Sequence, residues 1–260
     1  MLCAALYMVG IAPISGAKDF SSLMALGLGT LSSKTIMQTV TMGRGWGSLL
    51  GSVVLANTPQ VVMSLLYFTY NGLFTSISLA TEWDSYARHR KGLRVSSSPV
   101  GAQRTTYFLQ LPYRYSLPLL VISGLLHWLI SQSIFLVFVE IYRDSVDTMS
   151  TEAGTTKRVP AFDYTTCGWS PAGVVSVIIV GVAMVLFLLF SGSRRLRSNM
   201  PVAGSCSAAI SAACHPVPYD KMAGLELLQW GVTSLEGDEK GHCSFSSGEV
   251  DAAKRGAMYS

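Results

Sequence analysis

The sequence predicts an all-α membrane protein with three full transmembrane helices, a partial apolar helix at the amino terminus, and a mostly irregular cytosolic tail that holds a short β-hairpin. Two observations lead there. Half of the 260 residues are apolar and only 13% are charged, whereas a typical soluble domain carries about 25% charged residues. In addition, three runs contain no Asp, Glu, Lys or Arg: Leu49 to Ala80, Ser116 to Val139 and Gly173 to Phe190. A bilayer core about 30 Å thick needs roughly 20 apolar residues in a helix, and three runs near that length exceed what the buried helices of a soluble core require.

The chain divides into an amino-terminal segment (1–47), a transmembrane region (48–191) and a tail (192–260). Met1 to Ile14 is apolar but short, with no positive residue before Lys18, so it reads as the trailing part of a helix rather than a signal peptide. Ala17 to Trp46 is mildly apolar and rich in glycine and serine, and alternation of the spans places it outside the cytosol.

The first span is too long for a perpendicular crossing, so it tilts, kinks or projects, with Pro59 as the position that lacks an amide hydrogen. The second opens with Pro118 near its start and is flanked by Tyr107, Phe108, Tyr113, Tyr115 and Tyr142, as an interfacial aromatic belt requires. The third is dominated by Val, Ile and Leu, carries Ser176 as its polar side chain, and ends at Arg194, Arg195 and Arg197.

Orientation follows from the connections. Arg88, Arg90, Lys91, Arg94, Arg104 and Arg114 oppose Glu82 and Asp84 between the first two spans. Arg143, Lys157 and Arg158 face Glu140, Asp144, Asp147, Glu152 and Asp163 between the second and third. Lysine and arginine near span ends mark the cytosolic side, which puts the first connection and the tail in the cytosol. In the tail, strand-like runs at Leu227 to Val232 and His242 to Ser246 flank the turn formers Gly237, Asp238 and Gly241, and so predict a hairpin.

Polar side chains within spans are the candidates for chemistry. Asn57, Gln60, Ser64 and Asn71 recur on one face of the first span, and Ser123, His127 and Ser131, with Gln132 adjacent, form a stripe on the second. Asn57, Gln60, His127 and Gln132 are therefore the candidate binding residues. The stripes either line a polar cavity or hydrogen-bond helix to helix; the lack of mid-span charge favours packing. A histidine at this depth can titrate near neutral pH, or sit neutral against a carbonyl or serine.

Cys206, Cys214, His215, His242 and Cys243 are of zinc-binding type, but their spacing lacks the close pairs such sites use. They are equally open to acylation beside a membrane. No Walker loop, GxSxG elbow, HExxH helix or GxGxxG fingerprint occurs, which leaves no positive argument for an enzyme. No cofactor, metal or nucleic-acid partner is expected; the bilayer is, together with cytosolic proteins reached through residues 81–115 and the tail.

Several phrases resemble a known family. ANTPQ (Ala56 to Gln60), SLLYFTYNGLFT (Ser64 to Thr75), RKGLRVS (Arg90 to Ser96), QRTTYFLQLPYRYSLPLL (Gln103 to Leu120), LHWLISQSIFLV (Leu126 to Val137), CSAAISAACHP (Cys206 to Pro216), LQWGV (Leu228 to Val232) and GHCSFSS (Gly241 to Ser247) are similar to uncharacterised fungal multi-pass membrane proteins. The resemblance implies the carboxyl-terminal portion of a longer protein and supplies no activity or catalytic residue. The function expected is therefore structural, sensing or adaptor, without catalysis. The alternative is a transporter or channel subunit in which Asn57, Gln60, His127 and Gln132 line a path for a small polar solute.

Overall fold

The computed structural model describes residues 20–25, 27–31, 35–36, 46–144, 156–160, 163–202, 206–215, 220, 222–236, 240–254, 256–257 and 259. The expected partial helix at Met1 to Ile14 lies outside them. Five α-helices are described: α1 (Phe20–Ala25), α2 (Trp46–Tyr86), α3 (Tyr113–Ser133), α4 (Pro171–Gly192) and α5 (Ser207–Ala213). Nine strands accompany them: β1 (Lys91–Gly92), β2 (Arg94–Val95), β3 (Arg104–Thr105), β4 (Ile134–Val139), β5 (Tyr142–Asp144), β6 (Thr156–Arg158), β7 (Tyr164–Trp169), β8 (Leu227–Glu236) and β9 (Lys240–Ser246).

Helices α2, α3 and α4 are each long and apolar enough to cross a membrane. At 1.5 Å per residue, α3 and α4 reach about 31 to 33 Å, which matches a hydrocarbon core, and α2 reaches about 61 Å, roughly twice that. Four hydroxyls on α2 are satisfied within the helix by carbonyls four residues earlier: Thr58 donates to Val54 (2.7 Å), Ser64 to Gln60 (3.1 Å), Ser76 to Gly72 (3.0 Å) and Thr81 to Ile77 (2.8 Å). This local bonding lets polar residues occupy an apolar helix without a partner element.

The chain falls into two compact units. The first comprises residues 1–68 and 120–186. Its core is Leu126, Leu129 and Ile130 of α3, Ile134 and Trp169 of the sheet, and Val174 and Val177 of α4. Strands β4 and β7 pair antiparallel from Ile134↔Trp169 to Val139↔Tyr164. The Ser170 amide donates to the Ser133 carbonyl (2.8 Å) where helix gives way to strand on both sides. Gly168 is required here, since a Cβ would lie 2.7 Å from the Phe135 ring. Cys167 is fully buried and its thiol donates to the Ser52 carbonyl (3.4 Å). Beyond β4, Arg158 pairs with Asp163 (2.7 Å) and Glu140 (2.9 Å), and Asp163 also accepts the Ile141 amide (3.0 Å).

The second unit comprises residues 69–119 and 187–260. Strands β8 and β9 form an antiparallel hairpin with an irregularity between Val232 and Ser234, and β1 adds antiparallel to β8 through Lys91↔Leu228 and Gly92↔Leu227. Tyr86, Met200, Ala213, Leu228, Trp230 and Phe245 are its buried core. Leu228 and Trp230 sit inward while Leu227 is exposed, the period-two alternation of a half-buried strand.

Three expectations are corrected. The molecule is not all-α: the connections and the tail carry small sheets, because Val, Ile, Phe and Thr in short runs bounded by polar turns favour extended pairing. The second span does not reach Val139; its helix begins earlier, at Tyr113, places Pro118 inside it, and stops at Ser133, after which the β-branched and aromatic run IFLVFV pairs with β7. The tail's expected hairpin is longer than the two runs Leu227 to Val232 and His242 to Ser246, extending over Leu227–Glu236 and Lys240–Ser246, and it contributes Leu228, Trp230 and Phe245 to a buried core.

Candidate functional site

The predicted intramembrane residues divide. Gln60 of α2 and His127 of α3 meet, with His127 Nδ1 and Gln60 Oε1 3.3 Å apart and both side chains half-buried. This contact joins the two helices. Asn57 is exposed, and its carboxamide donates to the Val53 carbonyl of its own helix (2.8 Å). It lines a shallow groove of about 310 Å³ with Val54, Thr58, Val61 and Val62. Gln132 approaches the Ser131 hydroxyl (3.5 Å), and its Oε1 would meet a Cβ at Gly29, whose φ is +65°. The four candidates thus do not converge: one pair bridges α2 and α3, and the other two are satisfied locally.

A denser polar arrangement lies in the second unit, at the end of α2. Glu82 Oε1 accepts from Arg94 Nε (2.7 Å) and Arg104 (3.2 Å). Arg94 also donates to the Tyr107 hydroxyl (2.6 Å), and its guanidinium lies 3.9 Å over the Tyr107 ring, combining charge pairing with cation–π contact. Arg104 Nε donates to the Gly92 carbonyl (2.9 Å), which also accepts the Tyr86 hydroxyl (3.1 Å). Asp84, 3% exposed, accepts from the Ser198 amide (3.0 Å), the Ser198 hydroxyl (2.5 Å) and Arg88 (3.2 Å). One turn of helix thereby anchors the connection after α2 and the segment after α4.

Aromatic and backbone contacts complete this anchor. The Trp83 and Tyr86 rings pack edge-on against Phe245 of β9 at 5.2 and 5.5 Å, and Trp83 Nε1 donates to the Pro201 carbonyl (3.1 Å). Gly92 admits no side chain, since a Cβ would fall 1.8 Å from the Ala102 carbonyl oxygen. Burial and the neighbouring Arg104 charge push the Lys91 ammonium below its ordinary value, and it donates to Ser85 Oγ (2.7 Å). Asp220 accepts the Ser247 hydroxyl (2.7 Å), the Ser247 amide (2.9 Å) and the Ser246 hydroxyl (3.2 Å), and these bonds hold its carboxyl below the usual carboxylate range.

Sequence reasoning missed this arrangement because Glu82 and Asp84 read there only as charges ending a span. The signal was their separation by Trp83, two acids in one helical turn before a connection carrying several arginines.

The tail cysteines do not gather. Cys206 and Cys214 are exposed and Cys243 is half-buried; burial pushes the Cys214 and Cys243 thiols up, opposite to the shift a nucleophilic thiolate needs. Among the described residues, no three His, Cys, Asp or Glu side chains are placed to hold a metal ion.

A family model described as a domain of unknown function (DUF8419) matches residues 1–238. No curated protein and no solved structure matches the chain.

Proposed function

The chain belongs to the DUF8419 family, and from the geometry above we propose that it is an integral, multi-pass membrane protein of adaptor type, which presents a folded module to partners in the cytosol. One observation carries this reading. The connection after α2 and the tail after α4 join in a single sheet, β1 to β8, so two segments separated by more than a hundred residues form one body. A chain that only needed to cross a bilayer has no reason to enclose Leu228, Trp230 and Phe245 there or to bury Asp84.

The surplus of arginine and lysine in that connection supports the cytosolic side for the module and the carboxyl terminus. The acidic β5–β6 side then faces away from the cytosol. The closed Gln60–His127 pair supports helix packing over passage of a solute. The absence of a converging nucleophile, base and stabiliser among the described residues gives catalysis no support.

The test is proximity labelling with a ligase fused to the carboxyl terminus. We expect a reproducible set of cytosolic proteins, lost in Gly92→Val, whose side chain cannot fit beside Ala102. A set of random membrane neighbours, or one unchanged by Gly92→Val, contradicts the reading.

A further inference from the structure

Six arginines of the second unit fall into two groups. Arg88, Arg94 and Arg104 are taken up by Asp84 and Glu82. Arg114, Arg194 and Arg195 are exposed and make no ion pair with any described residue. Arg114 lies 5.3 Å over the Tyr115 ring, which leaves its guanidinium charge uncompensated.

These three sit at one end of the helices. The Phe74 ring of α2 contacts Tyr115 of α3 at 5.4 Å and Phe187 of α4 at 5.8 Å, fixing a common level. From that level α3 runs back to Arg114 in its first turn, and α4 runs on to Gly192, where a built Cβ meets Ile77 of α2 at 3.5 Å. Arg194 and Arg195 follow at once. Beside Arg114, the segment before α3 exposes Phe108 (87%) and the first residue of α3, Tyr113, is also exposed (53%), although Tyr107 next to Phe108 is held by Arg94 and packs on the Tyr113 ring at 6.1 Å. A fixed segment that presents an apolar ring outward, next to unpaired guanidinium groups, has the makeup of an interfacial anchor.

We propose that Arg114, Arg194 and Arg195, with Phe108 and Tyr113 as an apolar wedge, form a binding surface for anionic phospholipid headgroups. Charge complementarity selects the occupant. Zwitterionic headgroups leave the three positive charges unbalanced, whereas phosphodiester and carboxylate oxygens of an anionic lipid accept bidentate guanidinium bonds. Phe108 enters the acyl boundary beside them. The inference rests on the membrane reading above and adds a lipid preference to it.

The test uses the full chain in neutral detergent micelles, doped in parallel with phosphatidylserine, phosphatidylcholine or inorganic phosphate, and reads the thermal unfolding midpoint. Phosphatidylserine raises the midpoint in a salt-sensitive way, and the other two additions do not. Each arginine replaced by glutamine shifts the half-saturating phosphatidylserine fraction upward by roughly fivefold, and Phe108→Ser shifts it further. The Arg114→Lys, Arg194→Lys, Arg195→Lys variant keeps the charge and retains the preference, which controls for a glutamine variant that fails to fold. Equal response to phosphatidylcholine, an effect reproduced by phosphate alone, or an unaltered response in the glutamine variants overturns the proposal. A chain that stays folded without detergent overturns the membrane reading itself, which separates the two failures.

Discussion

Asp84 ties two parts of the second unit together, because it is a buried carboxylate with three donors drawn from two separate segments. Asp84→Ala removes the charge and strands the Arg88 guanidinium and the Ser198 donors, so we expect a loss of about 3 kcal/mol in chemical denaturation of the detergent-solubilised chain. Ser52 is the opposite case. Its hydroxyl is fully buried with no hydrogen-bond partner among the described residues, although its carbonyl accepts the Cys167 thiol. Ser52→Ala should therefore stabilise the chain by about 1 kcal/mol, and a loss of stability would mean that the hydroxyl is bonded.

The Asp220 carboxyl makes its effect visible with pH. Its folded-state value is depressed by the Ser247 and Ser246 donors, so its contribution is fully present above the ordinary carboxylate range and disappears as pH falls below it. The difference in unfolding midpoint between wild type and Asp220→Asn should be clear at pH 7 and should narrow as pH falls below the ordinary carboxylate range. A difference independent of pH would show that the bonds do not depend on ionisation.

At the scale of elements, the strongest legible feature was length without charge, which reveals α2, α3 and α4 as membrane-crossing candidates from composition alone. The run IFLVFV was not legible. A short apolar run is compatible with the end of a helix or with a buried strand, and its partner β7 lies 25 residues or more along the chain in every register pair. The site was legible only in part for the same reason. Periodicity put Gln60 and His127 on their stripes, but it also put Asn57 there, and only the packed helices separate the residue that faces α3 from the one that bonds its own backbone. If the Gln60–His127 bond is structural, His127→Leu costs about 1 kcal/mol in unfolding and leaves the flux of small polar solutes in reconstituted vesicles unchanged. A lost flux would revive the transport reading.

At the scale of the whole molecule, α2 is about twice the length a hydrocarbon core requires, and its final turn supplies Glu82, Asp84 and Tyr86 to the second unit. The surplus length gives the first connection and the tail a rigid support on which one sheet can form. The most direct test of this account is the sidedness of two positions in sealed vesicles, read with a membrane-impermeant maleimide. Ser97→Cys reports the connection after α2, and the native Cys206 and Cys214 report the tail. The account predicts that both are labelled from the same, cytosolic, face, while Tyr142→Cys is labelled only from the other; labelling of Ser97→Cys and the tail from opposite faces would contradict it.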